Sequence, residues 1–175
     1  GGGYPARPGE IVGGAAPGFC AGDGPLVRKP VVFLGINYYS RSGTQDAPGE
    51  LPLRATRVKQ SQHVHTEMDW EVFPAALTRV LLWVKERYGA LPLYITENGA
   101  AFFDPPFATD GQVEDPLRVS YLREHRRAAY DAIRQGVELS GYYAWSLLAN
   151  FEWSYGAAKR VGIWHVTCDA PEGRP

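Results

Sequence analysis

The stretch Leu91-Pro92-Leu93-Tyr94-Ile95-Thr96-Glu97-Asn98-Gly99 decides the fold class, because it is a short apolar run that ends in a turn signal. Similar apolar runs cover residues 31–39 and 142–148. The run at residues 31–39 is near-continuous rather than alternating, which is typical of a strand that is buried on both faces in a parallel sheet. We therefore predict three strands, one at each run.

Two helices are predicted between these strands. The first begins at Pro74, repeats apolar residues at helical spacing and ends at Gly89. The second begins at Asp115-Pro116, a capping residue followed by a first-turn proline, and ends at Gly136. His125 lies on its apolar face and is predicted to be a packed core histidine. The order strand, helix, strand, helix, strand predicts a parallel α/β architecture.

The 175 residues suit one domain or part of a larger one. We predict an irregular Gly- and Pro-rich lead-in over residues 1–25 and the main folded part over residues 26–175. Within it, the polar residues 40–69 are predicted to be a long loop. The chain opens Gly-Gly-Gly without an initiator Met, which fits a fragment or a processed product.

Charge and hydropathy exclude some classes of partner. Lys and Arg number 18 against 19 Asp and Glu, without the basic surplus that general nucleic-acid or anionic-membrane binding requires. No apolar run approaches the roughly 20 residues of a membrane span, and no signal segment opens the chain. We therefore expect a cytoplasmic protein with neither nucleic-acid nor membrane partners.

Cysteine and histidine leave two alternatives open. Cys20 and Cys168 are either two free thiols, which we favour, or a pair that joins the ends of the chain. His63-Val64-His65 is interpreted as part of a solvated loop, with a metal site as the alternative, because no third ligand has a matching spacing. No glycine-rich phosphate loop follows a strand, and we expect neither a cofactor nor a metal.

Polar side chains follow each predicted strand, where ligands of parallel α/β folds bind. Glu97 comes directly after Leu-Tyr-Ile-Thr, so rigid backbone would hold a partly desolvated carboxylate there. Such a carboxylate suits a nucleophile or a general acid/base, although a structural hydrogen-bond acceptor is the plainer alternative. Six aromatics fall between residues 142 and 155. They are either a core cluster or a surface that stacks on a sugar ring, with Glu152 at the hydroxyl rim.

Three motifs in order carry a family resemblance. Phe-Leu-Gly-Ile-Asn-Tyr-Tyr-Ser (33–40), Tyr-Ile-Thr-Glu-Asn-Gly (94–99) and Trp-Ser-Leu-Leu-Ala-Asn-Phe-Glu-Trp (145–153) resemble motifs of the family 1 glycoside hydrolases, the β-glucosidase family. Trp70-Glu71 followed by Pro74 is similar to the same family, as is Asp115-Pro116. The resemblance covers roughly residues 30–163.

The resemblance implies retaining hydrolysis of O-glycosidic bonds, with a β-glucoside or short oligosaccharide as substrate. It implies these roles: Glu97 as nucleophile, Tyr39 as the residue that orients it, Asn37 as a pocket residue, Trp70 on the aglycone side, Trp145 as the sugar platform, and Glu152 with Trp153 at the outer hydroxyls.

The implied fold is an incomplete (β/α)8 TIM barrel, in which these strands resemble the last three. The family's acid/base lies in an Asn-Glu-Pro motif that this chain does not contain. Ala149 stands where the family usually has Asp, and Val161 where it usually has Phe. The expected partners are therefore the missing N-terminal barrel half or further copies of the chain. The alternative function is a non-catalytic fragment of a degenerate barrel that binds sugar or a partner.

Overall fold

The computed structural model describes residues 18, 20, 22–50, 53–103, 112–164 and 166. In chain order the elements are α1 (Asp23–Val27), β1 (Leu34–Asn37), β2 (Gly43–Asp46), β3 (Ala55–Val58), α2 (Pro74–Tyr88), β4 (Leu93–Glu97), α3 (Pro116–Arg134) and β5 (Leu139–Tyr142), followed by a 3-10 turn at Trp153–Tyr155. The chain divides into two compact units. One holds the described residues up to Val32 together with Ser42–Lys59, and the other holds Phe33–Arg41 and the described residues from Gln60 onward.

The larger unit is built on a parallel sheet with the strand order β1-β4-β5. Leu34 pairs with Leu93 and Ile36 with Ile95, while Leu93 also pairs with Leu139 on the other side. Helices α2 and α3 connect successive strands, as right-handed crossovers require of parallel neighbours. The predicted parallel α/β architecture is confirmed.

The prediction for the position of the third strand is wrong. The sequence predicts residues 142–148, whereas β5 is Leu139–Tyr142. Gly141 belongs in the strand because its missing side chain leaves room for Tyr94: a Cβ on Gly141 would lie 2.6 Å from Tyr94 Cδ1. The aromatic run continues the chain along β4, with the Tyr143 amide donating to Ile95 O at 2.8 Å. That run forms the connection at the strand end rather than the strand.

One face of the sheet carries the core. Helices α2 and α3 pack on it through buried apolar residues that include Leu77, Leu81, Val84, Leu93, Ile95, Ala128, Ala129, Ala132 and Val137. On the opposite face Gly35, Asn37 and Thr96 are exposed. The prediction that the strand at residues 31–39 is buried on both faces is therefore wrong, because both helices lie on the same side of the sheet and Gly35 and Asn37 are exposed on the other.

The predicted helix boundaries are confirmed by their end residues. Pro74 and Pro116 open the two helices, and Asp115 Oδ1 accepts a hydrogen bond from the Arg118 amide at 3.1 Å. Gly89 and Gly136 follow the helices with positive φ angles of 85° and 83°, which glycine adopts at least cost. His125 is fully buried, as predicted.

The smaller unit contains a hairpin that the sequence did not predict. Strands β2 and β3 pair antiparallel, Gly43 with Val58 and Asp46 with Ala55, inside the segment 40–69 that was predicted to be a loop. Both strands are mostly polar and exposed, so they show no hydrophobic pattern. Residues 1–17 of the predicted lead-in lie outside the described residues. Helix α1 crosses the predicted boundary between residues 25 and 26, which stays a prediction.

Candidate active site

Glu97 and Tyr39 meet at the carboxyl end of the sheet. Glu97 is the last residue of β4, and the parallel register sets it beside Asn37, the last residue of β1. Two residues further on, Tyr39 Oη donates a hydrogen bond to Glu97 Oε2 at 2.6 Å. Burial, this hydrogen bond and the charges of Glu97 and Glu152 raise the pKa of Tyr39. The phenol therefore remains a proton donor to the carboxylate at neutral pH.

Asn37 lies on the exposed face of the sheet, next to Glu97 in the register. Its Oδ1 accepts a hydrogen bond from Thr96 Oγ1 at 2.6 Å. The side chain is therefore fixed on the same face as Thr96, and its amide group has a further donor to offer a ligand there.

Trp70 and Trp145 share one small apolar cluster. Both are partly buried against Met68, Ala101 and Val161. The Trp70 ring centroid also lies 5.3 Å from that of Tyr39, with the planes inclined by 57°. The two tryptophans, one before α2 and one after β5, are thus gathered by the cluster beside the Tyr39–Glu97 pair.

Glu152 lies within the electrostatic field of Glu97. Burial and the negative charge of Glu97 both raise the pKa of Glu152. Its neighbour Trp153 behaves differently, because it opens the 3-10 turn with a φ of 43° and its side chain is 85% exposed. The structure therefore brings Tyr39, Glu97, Trp70 and Trp145 together and places Glu152 within their field, whereas Trp153 projects outward.

Asn98 is a fully buried residue, which the sequence marks as a turn signal and as a polar group at the strand end. Its Nδ2 donates to Tyr38 O at 2.6 Å and to Tyr121 Oη at 3.2 Å, while Tyr142 Oη donates to its Oδ1. The Asn98 side chain thus ties β4 to the end of β1, to β5 and to α3. Only the fold reveals this role, since its partners lie far away in the sequence.

A second polar cluster lies directly after Trp70. Glu71 is buried and accepts from Arg41 Nε at 2.7 Å and Nη2 at 2.9 Å, and it also contacts His63 Nδ1. The guanidinium lies 3.5 Å above the Phe73 ring. The bonds from Arg41 outweigh burial and, with His63, lower the pKa of Glu71. The cluster fixes the backbone on which Trp70 is carried.

The alternatives left open for histidine and cysteine resolve in part. His63 stacks on Phe73 and contacts Glu71, and His65 Nδ1 bonds to His63 O at 2.9 Å. Within the part of the chain that the structure describes, no three His, Cys, Asp or Glu side chains cluster as a metal site would require. The segment is thus packed rather than freely solvated. Cys20 is exposed and free, and Cys168 lies outside the described residues.

None of the helices in the described ranges could span a membrane, because none combines sufficient length with sufficient apolar character.

The comparisons with known proteins point to one family. The sequence model described as glycosyl hydrolase family 1 matches residues 1–174. The bifunctional β-D-glucosidase/β-D-fucosidase of Bifidobacterium breve is 39% identical over 168 residues, which are 87% of this chain and 36% of that protein. β-Glucosidase A of Thermotoga maritima is 42% identical over 140 residues, which are 80% of this chain and 31% of that protein.

Solved structures agree. The Thermotoga maritima family 1 glycoside hydrolase complexed with a cyclophellitol analogue transition-state mimic has a TM-score of 0.86 and 39% identity, covering 95% of this chain and 36% of that one. The AHE enzyme from Alicyclobacillus herbarius has a TM-score of 0.85 and 40% identity, covering 94% and 37%. The chain spans about a third of the length of these relatives. By the extent of the family match, this chain belongs to glycosyl hydrolase family 1.

Proposed function

We propose that this chain contributes the nucleophile and part of the sugar site of a β-glucosidase-like retaining glycoside hydrolase. The observation that carries the proposal is the hydrogen bond of 2.6 Å from Tyr39 Oη to Glu97 Oε2 at the carboxyl end of the parallel sheet. A carboxylate held there by a protonated phenol is restricted in rotation and remains partly exposed to a ligand.

In the proposed reaction Glu97 attacks the anomeric carbon with a carboxylate oxygen as the bond to the aglycone oxygen breaks. A second carboxyl group, about 5–5.5 Å away in retaining enzymes, protonates the departing oxygen. Water then hydrolyses the glycosyl ester with that same group as the base, and Glu97 is regenerated. Because Tyr39 donates to Oε2, Oε1 is the oxygen left for attack.

The sugar contacts follow from the surroundings of Glu97. Trp145, which packs against the apolar cluster that contains Met68, would form the platform beneath the sugar ring. Trp70, which packs against the same cluster, would flank the aglycone. Asn37, which pairs with Glu97 in the register, and Glu152, which feels the charge of Glu97, would bond to hydroxyl groups. Trp153 would join them only after rotating inward from its exposed position.

The proposed fold of the active protein is a (β/α)8 barrel, to which β1, β4 and β5 contribute the last three strands. The exposed sheet face with Asn37 and Thr96 would then face the barrel interior, and the two unpaired edges, β1 and β5, would each pair with a strand of the other part. These 175 residues contain no Asn-Glu-Pro sequence, so the acid/base residue and the other five strands would lie outside them.

The test is trapping with a slow-turnover fluorinated glucoside that carries a good leaving group, followed by peptide mapping. The chain is treated alone and after mixing with a polypeptide that carries the first five strands of a family 1 relative. We expect one label, on Glu97, and none in Glu97→Gln. A label on Glu152 contradicts the assignment. Sugar binding without any label would favour the non-catalytic alternative.

A further inference from the structure

Tyr121 is a buried helix residue that contacts the site from behind. It lies in the second turn of α3 and is 2% exposed. Its hydroxyl donates a hydrogen bond of 2.8 Å to the backbone oxygen of Tyr39 and accepts one of 3.2 Å from Asn98 Nδ2. The Tyr121 hydroxyl thus donates its one proton and accepts a second hydrogen bond, and both partners are close to Glu97.

The Tyr39 backbone is therefore fixed at a point next to its own functional hydroxyl. Its neighbour Tyr38 is bonded in both directions at the end of β4, because the Tyr38 amide donates to Glu97 O at 2.9 Å and its carbonyl accepts from Nδ2 of the next residue, Asn98, at 2.6 Å. Tyr121 supplies the corresponding tie for Tyr39 itself. The carbonyl end of Tyr39 is held by α3 while its phenol end holds Glu97.

The Tyr121 ring is itself restrained. His125, one turn further along α3, stacks on it with a centroid separation of 3.9 Å and an interplanar angle of 28°. His125 Nδ1 must donate to Tyr121 O, at 2.8 Å, because a carbonyl oxygen only accepts. Asn98 in turn is held by Tyr142 Oη. Packing and hydrogen bonds thus leave Tyr121 little freedom to move away from Tyr39.

We propose that Tyr121 is a positioning residue for the nucleophile, acting through Tyr39 on the orientation of Glu97, with Tyr142 supporting it through Asn98. This proposal rests on the proposed function of Glu97. It predicts an effect on the bond-making step and not on sugar affinity, since Tyr121 is buried behind the residues that would touch the sugar.

The test measures the rate of covalent labelling by dinitrophenyl 2-deoxy-2-fluoro-β-glucoside, whose leaving group departs without an acid. Saturation separates the maximal inactivation rate from the binding constant. We expect Tyr121→Phe to lower the maximal rate on the order of tenfold and to leave the binding constant within about twofold. Tyr130→Phe is the matched control, because Tyr130 lies on the same helix and is 61% exposed.

A double-mutant cycle tests whether the effect passes through Tyr39. In a Tyr39→Phe background, Tyr121→Phe is expected to cause almost no further loss of rate. Full additivity of the two losses, or an unchanged rate in Tyr121→Phe, overturns the proposal. If Tyr121→Phe does not fold, Tyr142→Phe decides: it is expected to lower the rate about two- to threefold, and an unchanged rate overturns the proposal.

A spectroscopic readout separates this proposal from the proposed function. A phenol proton in a 2.6 Å bond to a carboxylate should give a downfield proton resonance, assigned by its disappearance in Tyr39→Phe. If wild type is not labelled, the proposed function fails, yet loss of this resonance in Tyr121→Phe still supports positioning. Its persistence there, or its absence in wild type, overturns positioning.

Discussion

Gly99 lies directly against the backbone oxygen of Trp145, so that a Cβ atom on Gly99 would come within 1.7 Å of that oxygen. The Trp145 amide also donates to Asn98 O at 2.9 Å. The chain after β5 therefore crosses the end of β4 at van der Waals contact, and this crossing holds Trp145 beside the residues that follow Glu97. Only glycine fits at position 99 without displacing that backbone.

We expect Gly99→Ala to lower the free energy of unfolding by about 1–3 kcal/mol or more, because a backbone atom cannot yield as a flexible side chain would. Urea unfolding measures the change. Gly49→Ala is the matched control: a Cβ there meets nothing within 4 Å, so its effect should remain within about 0.5 kcal/mol. If the two substitutions lower the free energy of unfolding equally, the close contact between Gly99 and the Trp145 backbone oxygen does not limit the residue at position 99.

His125 should make the fold sensitive to acid. Burial lowers its pKa to about 4, below the ordinary value of 6.5, so the unfolded chain binds a proton at higher pH than the folded one does. Stability then rises with pH between these values and is lost as the pH falls from 6.5 towards 4, by roughly 3 kcal/mol from this residue.

Urea unfolding of wild type and His125→Phe at several pH values isolates this contribution. The difference between the two proteins should shrink or reverse in favour of the variant as the pH falls. A difference that is constant across the range would show that His125 does not titrate in this way.

Glu71→Gln should destabilise the protein more than Glu124→Gln. Glu71 is 5% exposed and bonded twice by Arg41, whereas the Glu124 side chain is 39% exposed in its pairs with Arg123 and Arg127. Removing a buried partner leaves a cation uncompensated, so we expect Tm to fall by roughly 5 °C for Glu71→Gln and hardly at all for Glu124→Gln. Calorimetry gives both values, and similar shifts would argue against the buried cluster.

Glu97→Gln should lower the pKa of Glu152. The charge of Glu97 is one of the two causes that raise it, the other being burial, which the isosteric substitution preserves. Titration of the Glu152 carboxyl carbon by NMR measures the shift. Glu138→Gln removes an exposed carboxylate elsewhere and serves as the control. If neither substitution changes the pKa of Glu152, Glu152 does not lie near Glu97.

The isolated chain should self-associate and hydrolyse cellobiose poorly. Both sheet edges, β1 and β5, are unpaired in the described sheet, and Val31, Val32 and Phe33 before β1 are exposed apolar residues. Loss of acid assistance alone typically costs about 10²–10⁴-fold in rate. Light scattering and a cellobiose assay on the same sample test both points. A monomer that turns over cellobiose at ordinary enzyme rates would show that the missing part of the barrel is not needed.

The local signals in the sequence predicted most of the larger unit. Proline and glycine marked both helices because their effects on φ act within one or two residues, as at Pro116 and Gly136. The hairpin of β2 and β3 was not predicted, because its strands are mostly polar and lack the alternation of apolar and polar residues that indicates a strand. The position of β5 was missed because an aromatic run predicts strand more strongly than Leu-Ser-Gly-Tyr does.

The site was predictable only in its parts. The position of Glu97 at a strand end followed from the sequence, and the resemblance implied its contact with Tyr39, 58 residues away. Tyr121 and Tyr39 are 82 residues apart, and their hydrogen bond is accepted by a backbone oxygen. Every residue has such an oxygen, so the residue types gave no indication of this contact. Nor do the exposure of Trp153 and its positive φ follow from its place in the motif.

The burial of Asn98 has a consequence for how activity would be lost on heating. Its side chain joins the ends of β1, β4 and β5 to α3, so the backbone carrying Glu97 cannot open without breaking the hydrogen bonds of the core. The amide protons around Asn98 should therefore exchange with deuterium as slowly as those of the central turns of α3. Thermal inactivation and global unfolding would then be a single cooperative event, with no loosened yet folded state between them.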